Sequence, residues 1–346
     1  MFSEMHNHTV HELHLCHNDQ LNAVISIHNL RLGPALGGCR FIEYVDENAA
    51  IKDAMLLAKG MSYKAALAHV PQGGGKVVVM KPKGEFDRQK LFRQLGQFIH
   101  GLSGRFITAM DSGATVQDMD SIRTQTPYVA SSANIGDPSP ATAQGVVLGI
   151  ISALHFKNQH SLKGVRVAIQ GLGHVGFALA EYLYLAGAKL TVCDIDAKKS
   201  KMAERAFNAK VVALEDIYKQ ECDIFSPCGL GGILNEKNIE ALNCSIVAGC
   251  ANNQLASDDM GQLLHDSNIL YAPDYVINSG GLIFASARYN GLKQEHIDHQ
   301  IFKLKDTLDK IFILSKTKKV ACHAIANEMA EHILYGPEHD SMMEAI

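Results

Sequence analysis

Apolar positions along the chain follow two rhythms. Short aliphatic or β-branched runs at 22–28 (Val24, Ile25, Ile27), 76–80 and 106–110 read as strands. Residues 47–59 and 87–102 carry helical spacing instead. Ile51, Met55 and Ala58 share one face of the first helix, which Gly60 is expected to stop. Leu91, Leu95, Phe98 and Ile99 form a stripe on the second, with Asp87 as its N-cap. Thr115 and Asp118 have capping-box spacing and set a helix start just after Asp111. Residues 1–15 show neither rhythm and read as a polar, partly ordered arm.

The pattern changes at Gly136-Asp137-Pro138-Ser139-Pro140, a stiff non-helical joint that marks a domain boundary. After a helix at 142–156, strands at 165–169, 190–193, 223–226, 245–248 and 269–271 alternate with helices, which implies βαβ crossovers and a parallel sheet. Residues 300–334 read as one helical stretch with a stripe of Ile301, Leu304, Leu308, Ile311 and Phe312. The expected organisation is an α/β domain at 1–136 and a doubly wound α/β domain at 137–320, with a helix at about 320–346 returning to the first.

Composition narrows the class without naming a reaction. The 346 residues are 47% hydrophobic and 20% charged, enough for a sizeable core and against disorder as a whole-chain reading. A formal charge of −4 calls for neither nucleic acid nor an anionic membrane, and no run approaches the length of a membrane span. The N-terminus lacks the apolar core of a signal peptide. Eight scattered cysteines without CxxC spacing read as thiols in a reducing compartment, so a cytoplasmic protein is expected. His6, His8, His11, His14 and His17 lack the cysteine or carboxylate partners of a metal site, and no metal is expected.

Two constellations carry chemistry. Gly171, Gly173 and Gly176 spell GxGxxG after the apolar run Val167-Ala168-Ile169 and at the opening of a helix. The first glycine suits a tight turn, the second close approach to a pyrophosphate, and the third helix–strand packing. The helix N-terminus adds free N–H groups and a positive dipole end. Asp194, 18 residues after Gly176, is placed to accept the ribose hydroxyls of NAD and to repel the 2′-phosphate of NADP. The second constellation is Lys64, the triplet Gly73-Gly74-Gly75 followed by Lys76, and Asp111. Lys64 lies among Ala65, Ala66, Leu67 and Ala68, and Lys76 lies between the glycines and Val77-Val78-Val79. A lysine held in such a place loses hydration, and a second ammonium nearby further favours its neutral form, which is how a lysine serves as a general base.

These residues sit in longer blocks. Gly33-Pro34-Ala35-Leu36-Gly37-Gly38-Cys39-Arg40, Lys59 to Ala65, Gly73 to Lys76, Gly171 to Gly176, Ala251-Asn252-Asn253-Gln254-Leu255 and Ala272 to Gly281 resemble, in order, the Glu/Leu/Phe/Val dehydrogenase family, its leucine-acting branch most closely. The resemblance implies a substrate domain and a Rossmann-type NAD domain with the active site between them, and a symmetric homo-oligomer, a dimer or larger up to an octamer. It assigns the substrate carboxylate to Lys64, the general base to Lys76 and proton transfer at the amine to Asp111. Leu36, Gly37, Gly38, Ala109, Asn253, Leu282 and Ala285 fall at substrate-binding positions, and Thr142 and Asn252 at cofactor-binding ones. The implied reaction is reversible NAD-dependent oxidative deamination of an L-amino acid to a 2-oxo acid and ammonium.

Leu36, Ala109, Leu282 and Ala285 are all apolar, so an acidic side chain would be buried without a partner. A branched aliphatic substrate fits this set, with phenylalanine or another large apolar amino acid as the alternative. Met110, Phe284 and Gly229 depart from the branch's pattern of Glu, a smaller polar residue and Ala. A non-catalytic dinucleotide sensor is the competing class, and the joint presence of Lys64, Lys76 and Asp111 weighs against it.

Overall fold

Alternation along five strands builds the first sheet. The computed structural model describes residues 2–18 and 20–336. Its first unit contains α1 (Phe2–Asn7), β1 (Glu12–His17), β2 (Asn22–Asn29), β3 (Ala35–Ile42), α2 (Glu47–Leu67), β4 (Gly73–Met80), α3 (Arg88–His100), β5 (Phe106–Met110) and α4 (Val116–Arg123). The strand order is β1-β2-β4-β3-β5, with β1, β2 and β4 successively antiparallel and β4, β3 and β5 parallel. Ile25, Ile27, Val77, Val79 and Phe106 bury one face against Leu91, Phe92, Leu95, Met119 and Ile122 of α3 and α4. Val24 and Val78 bury the other against Ala50 and Ala54 of α2. Because side chains alternate along a strand, Lys76 shares the α2 face with Val78. Asp87 caps α3 and Thr115–Asp118 closes a capping box on α4.

Three local expectations are corrected. The polar arm is a short helix and an edge strand, in which Leu13 packs against the α2-side cluster and Cys16 against the other. Pairing with β2 supplies order that its own polar sequence does not announce. Helix α2 runs through Gly60 to Leu67, because burial of Ser62, Tyr63, Ala65, Ala66 and Leu67 outweighs the roughly 1 kcal/mol propensity cost of one glycine. The strand expected from residue 76 begins at Gly73, so it takes in the glycine triplet.

The second unit contains α5 (Ser139–Phe156), β6 (Arg166–Gln170), α6 (His174–Leu185), β7 (Lys189–Cys193), α7 (Ala197–Phe207), β8 (Lys210–Val211), β9 (Ile224–Pro227), α8 (Glu236–Ala241), β10 (Ile246–Val247), α9 (Asp258–Asp266), β11 (Leu270–Tyr271) and α10 (Asp274–Ile277). The sheet is wholly parallel in the order β11-β10-β9-β6-β7-β8, the doubly wound order of a Rossmann fold. Its chain order reverses beside β6, which places the glycine turn at the switch point. Helix α5 is the one helix among the described residues long and apolar enough to cross a membrane, and half of it is buried inside the fold.

Helix α11 (Gly280–Tyr289) begins in the second unit; Phe284–Gln294 belong to the first, although nothing local marks a crossing there. The expected single helix at 300–334 is two, α12 (Gln294–Lys318) and α13 (Cys322–Tyr335), interrupted at Lys319 with φ +59°. The chain rejoins the first unit from Ala330 rather than about 320. Residues 337–346 of the proposed returning helix lie outside the described residues.

Candidate active-site residues in the two units

The α2 face of the first sheet gathers the charged residues. Leu36, Gly38 and Arg40 share a side of β3 by their two-residue spacing, as do Lys76 on β4 and Ala109 on β5. Register aligns Gly38 with Ala109 and Leu36 with Gly74. Asp111 follows β5 directly, and Lys76 Nζ donates to its Oδ2. Lys76 is only 5% exposed, so the sequence argument for a poorly hydrated lysine meets a buried side chain. Burial pushes the Asp111 carboxyl up, but Lys76, the Ser112 backbone N–H and Arg40 together hold it below its ordinary value. The pair therefore remains ionised on the Asp111 side through the neutral range.

The glycines of both blocks are required by close approach. A Cβ on Gly38 would lie 2.7 Å from Asp111 Cβ and 3.1 Å from Lys76 Nζ, so its bare Cα is what leaves room for the pair. A Cβ on Gly37 would lie 1.8 Å from the Gly75 carbonyl oxygen, and one on Gly74 would lie 2.0 Å from Ser62 N. Strand β4 can thus press against both β3 and α2. Lys64 sits half-buried in the last turn of α2.

Sequence reasoning did not find the polar lock beneath this face. His28 Nδ1 is 2.8 Å from Ser62 Oγ, and its Nε2 is 2.8 Å from Thr9 Oγ1 and 3.1 Å from Tyr335 OH. Burial first, then Lys59, His11 and His8, lower the His28 pKa to about 3. In the unfolded chain this histidine titrates near its ordinary 6.5 and so binds more protons below that pH. Stability conferred by neutral His28 is therefore full above pH 6.5 and falls as pH drops toward 3. We expect urea unfolding between pH 6.5 and 4.5 to lose roughly 1 kcal/mol per pH unit through this residue. His28→Gln should flatten that slope; an unchanged slope would exclude His28 as its source.

The second unit holds the glycine turn. Gly171 adopts φ +98°, which favours glycine, and its added Cβ would lie 2.6 Å from Gly229 N. A Cβ on Gly176 would lie 2.2 Å from Gly171 O, whereas Gly173 has open space within 4 Å. Turn, open approach and tight packing are divided among the three glycines as a bound pyrophosphate requires. Asp194 Oδ2 accepts from Leu172 N at 2.6 Å and Oδ1 from Asp196 N at 2.8 Å, fixing the carboxylate while leaving lone pairs for ribose hydroxyls. A Cβ on Gly229 would make only ordinary contact, 3.5 Å from Gln170 O, so an alanine there would fit.

The remaining predicted residues are distributed. Thr142 opens α5, with Oγ1 donating to Pro138 O at 3.1 Å, and packs where Gly280 and Gly281 lack side chains. Asn252 Oδ1 accepts from Asn278 Nδ2 at 2.8 Å. Asn253 is exposed with φ +50°. Leu282 is buried in the second unit; Ala285, three residues on, is half-buried in the first, where Ser286 Oγ donates to Gln72 Oε1 at 2.6 Å. Among the described residues no group of three or more His, Cys, Asp or Glu side chains could hold a metal ion.

A family model described as Glu/Leu/Phe/Val dehydrogenase, dimerisation domain, matches residues 8–128, and another described as Glutamate/Leucine/Phenylalanine/Valine dehydrogenase matches residues 191–330. A leucine dehydrogenase from Thermoactinomyces intermedius is 42% identical over 338 residues, 96% of this chain and 92% of that protein. An L-tryptophan dehydrogenase from Nostoc punctiforme is 44% identical over 322 residues, 91% of each chain. The crystal structure of an L-tryptophan dehydrogenase from Nostoc punctiforme matches with a TM-score of 0.88 at 39% identity, covering 98% of this chain and all of that one. With the Lys76–Asp111 pair in one unit and the glycine turn in the other, this chain belongs to the Glu/Leu/Phe/Val dehydrogenase family, NAD(P)-dependent amino acid dehydrogenases acting on CH–NH2.

Proposed function

We propose that this chain catalyses reversible oxidative deamination of an aliphatic L-amino acid, with NAD as cofactor. The observation that carries the reading is the buried Lys76 ammonium donating to Asp111 beside the bare Cα of Gly38. Lys64 holds the substrate carboxylate and so fixes the orientation of the α-carbon. Asp111 takes a proton from the substrate ammonium. Gly171, Gly173, Gly176 and Asp194, with Thr142 and Asn252, would hold the dinucleotide, which would supply a hydride acceptor for the α-hydrogen. Lys76, neutral at Nζ, takes a proton from water as the water oxygen attacks the resulting iminium carbon. Asp111 returns its proton to the nitrogen of the carbinolamine. As the C–N bond then breaks, Asp111 takes the hydroxyl proton, giving the 2-oxo acid and ammonia; the protons on Asp111 and Lys76 leave to solvent, where ammonia takes one.

Leu36, Ala109, Leu282 and Ala285 offer no partner to a charged substrate side chain, which supports an aliphatic substrate over glutamate. Likeness to the Nostoc enzyme favours a second reading, in which the substrate is aromatic. The Asp194 carboxylate supports NAD over NADP through repulsion of a 2′-phosphate. All eight cysteines are free thiols, which supports a reducing, cytoplasmic setting. The deciding experiment follows NAD(P)H absorbance with L-leucine, L-isoleucine, L-valine, L-phenylalanine, L-tryptophan and L-glutamate, each with NAD and with NADP. We expect the highest kcat/KM with a branched-chain substrate and NAD. A preference for an aromatic substrate would select the second reading. Dinucleotide binding without turnover of any substrate would return the sensor.

A further inference from the structure

Asp111 has a second cation at hand. Arg40 Nε lies 3.5 Å from Asp111 Oδ2, beyond good hydrogen-bond range, and is buried without a hydrogen-bond partner. The same guanidinium is anchored at its other end, with Nη1 3.2 and 3.0 Å from the two Asp53 oxygens on α2. Asp53 also accepts from Tyr44 OH at 2.5 Å. Only a planar fork can reach two carboxylates from fixed positions in this way; a lysine ammonium is a single point charge.

We propose that Arg40 is a positioning residue for the reaction, holding the Asp111 carboxylate charged and in place while Lys76 Nζ is neutral and the substrate ammonium still carries its proton. This rests on the acid–base roles inferred above. With Lys76 protonated, the two residues form an ion pair that needs little support. When Lys76 gives up its proton, Asp111 loses that ammonium, and its burial then favours proton uptake. A proton captured from solvent beforehand would leave Asp111 unable to take the one on the substrate ammonium. Arg40 stays protonated throughout and is the cation that remains. Of the other groups acting here, Cys39 on β3 has its thiol pushed up by burial and stays neutral, and the Ser112 backbone N–H carries no net charge. Asp53 and the raised Tyr44 phenol act on Arg40, whose guanidinium is kept above its ordinary value by Asp111 and Asp53 despite burial.

Titration of the carboxyl itself tests this without turnover. Protein labelled with carbon-13 at aspartate Cγ is compared as Lys76→Met and as Lys76→Met with Arg40→Gln, the Asp111 resonance being the one that Asp111→Asn removes. With Arg40 present, Asp111 should stay ionised down to the ordinary carboxylate range; without it, titration should move up by about one pH unit or more. Identical titrations in the two proteins would overturn the proposal. In turnover, Arg40→Gln should move the acid limb of kcat to higher pH by about one unit, with activity recovering at alkaline pH and KM for the amino acid changing less. A loss of kcat equal at every pH would mark a merely structural role and also overturn it. Melting curves report the fold of each variant, and if Arg40→Gln does not fold, Arg40→Lys should show the same direction with a smaller shift. Absence of amino acid turnover in the unmodified protein would remove the proposed function, while the carboxyl titration would still decide the role of Arg40.

Discussion

Replacing Lys76 with alanine should lower kcat by about a thousandfold, within the 10²–10⁴ range that a positioned general base contributes. The expectation follows from two features. Lys76 is 5% exposed and its Nζ donates to Asp111, so a water taking over its role would have to enter a buried position. The residue also reaches the reacting carbon through a proton rather than through substrate binding, which the reading gives to Lys64. KM for the amino acid should accordingly change far less than kcat, the signature of an interaction made mainly in the transition state. Dinucleotide affinity should be unchanged, because Gly171, Gly173 and Gly176 belong to a unit that does not contain residue 76. Single-turnover kinetics with excess enzyme, alongside NADH fluorescence titration, separates these quantities. A kcat within tenfold of the unmodified protein would remove Lys76 from the role of base.

The dinucleotide turn gives the second large effect, and its three glycines give different outcomes. Gly176→Ala introduces a methyl 2.2 Å from Gly171 O and 3.2 Å from Cys228 Cβ. The first contact is with backbone of the turn itself, so relief requires α6 to move away from the end of β6. Overpacking of this kind costs about 1–3 kcal/mol, and it displaces the helix N-terminus from the phosphates. Both stability and NADH affinity should fall, the latter at least tenfold. Gly173→Ala meets nothing within 4 Å and keeps a φ of −64° that alanine accepts. Its methyl occupies only the space through which a pyrophosphate would approach, so affinity should fall while the melting temperature stays unchanged. Calorimetric melting and NADH titration on the two variants test the contrast. Equal stability losses, or undiminished affinity in Gly173→Ala, would contradict the division of roles.

The fold was legible where local chemistry decides. Asp87 and Thr115–Asp118 were readable as helix starts because a cap is settled within four residues. The alternation after residue 160 announced a parallel sheet because each strand is short, apolar and followed by a helix. Legibility failed where partners far along the chain compensate a weak local signal. β1 is polar on paper and is ordered by pairing with β2. Gly60 looks like a stop, but α2 continues because its last turns are buried. Lys319 interrupts a stripe whose hydrophobic spacing gave no warning. Phe284–Gln294 return to the first unit through tertiary contacts such as Ser286 with Gln72, 214 positions away.

The site divides along the same line. By itself the sequence determined that residues 171–176 form a tight turn with an open middle glycine and a closely packed third, since these are demands on individual residues. It also marked Lys76 as a poorly hydrated amine, since the apolar run after it must enter a core. Only the tertiary structure decided that Lys76, Asp111, Gly38 and Arg40 meet on one face, and that His28 on β2 bonds to Ser62 on α2. Those meetings depend on which strands become neighbours and in what register. Strand pairing brings together residues dozens of positions apart, and no local pattern in any one of them records its partner.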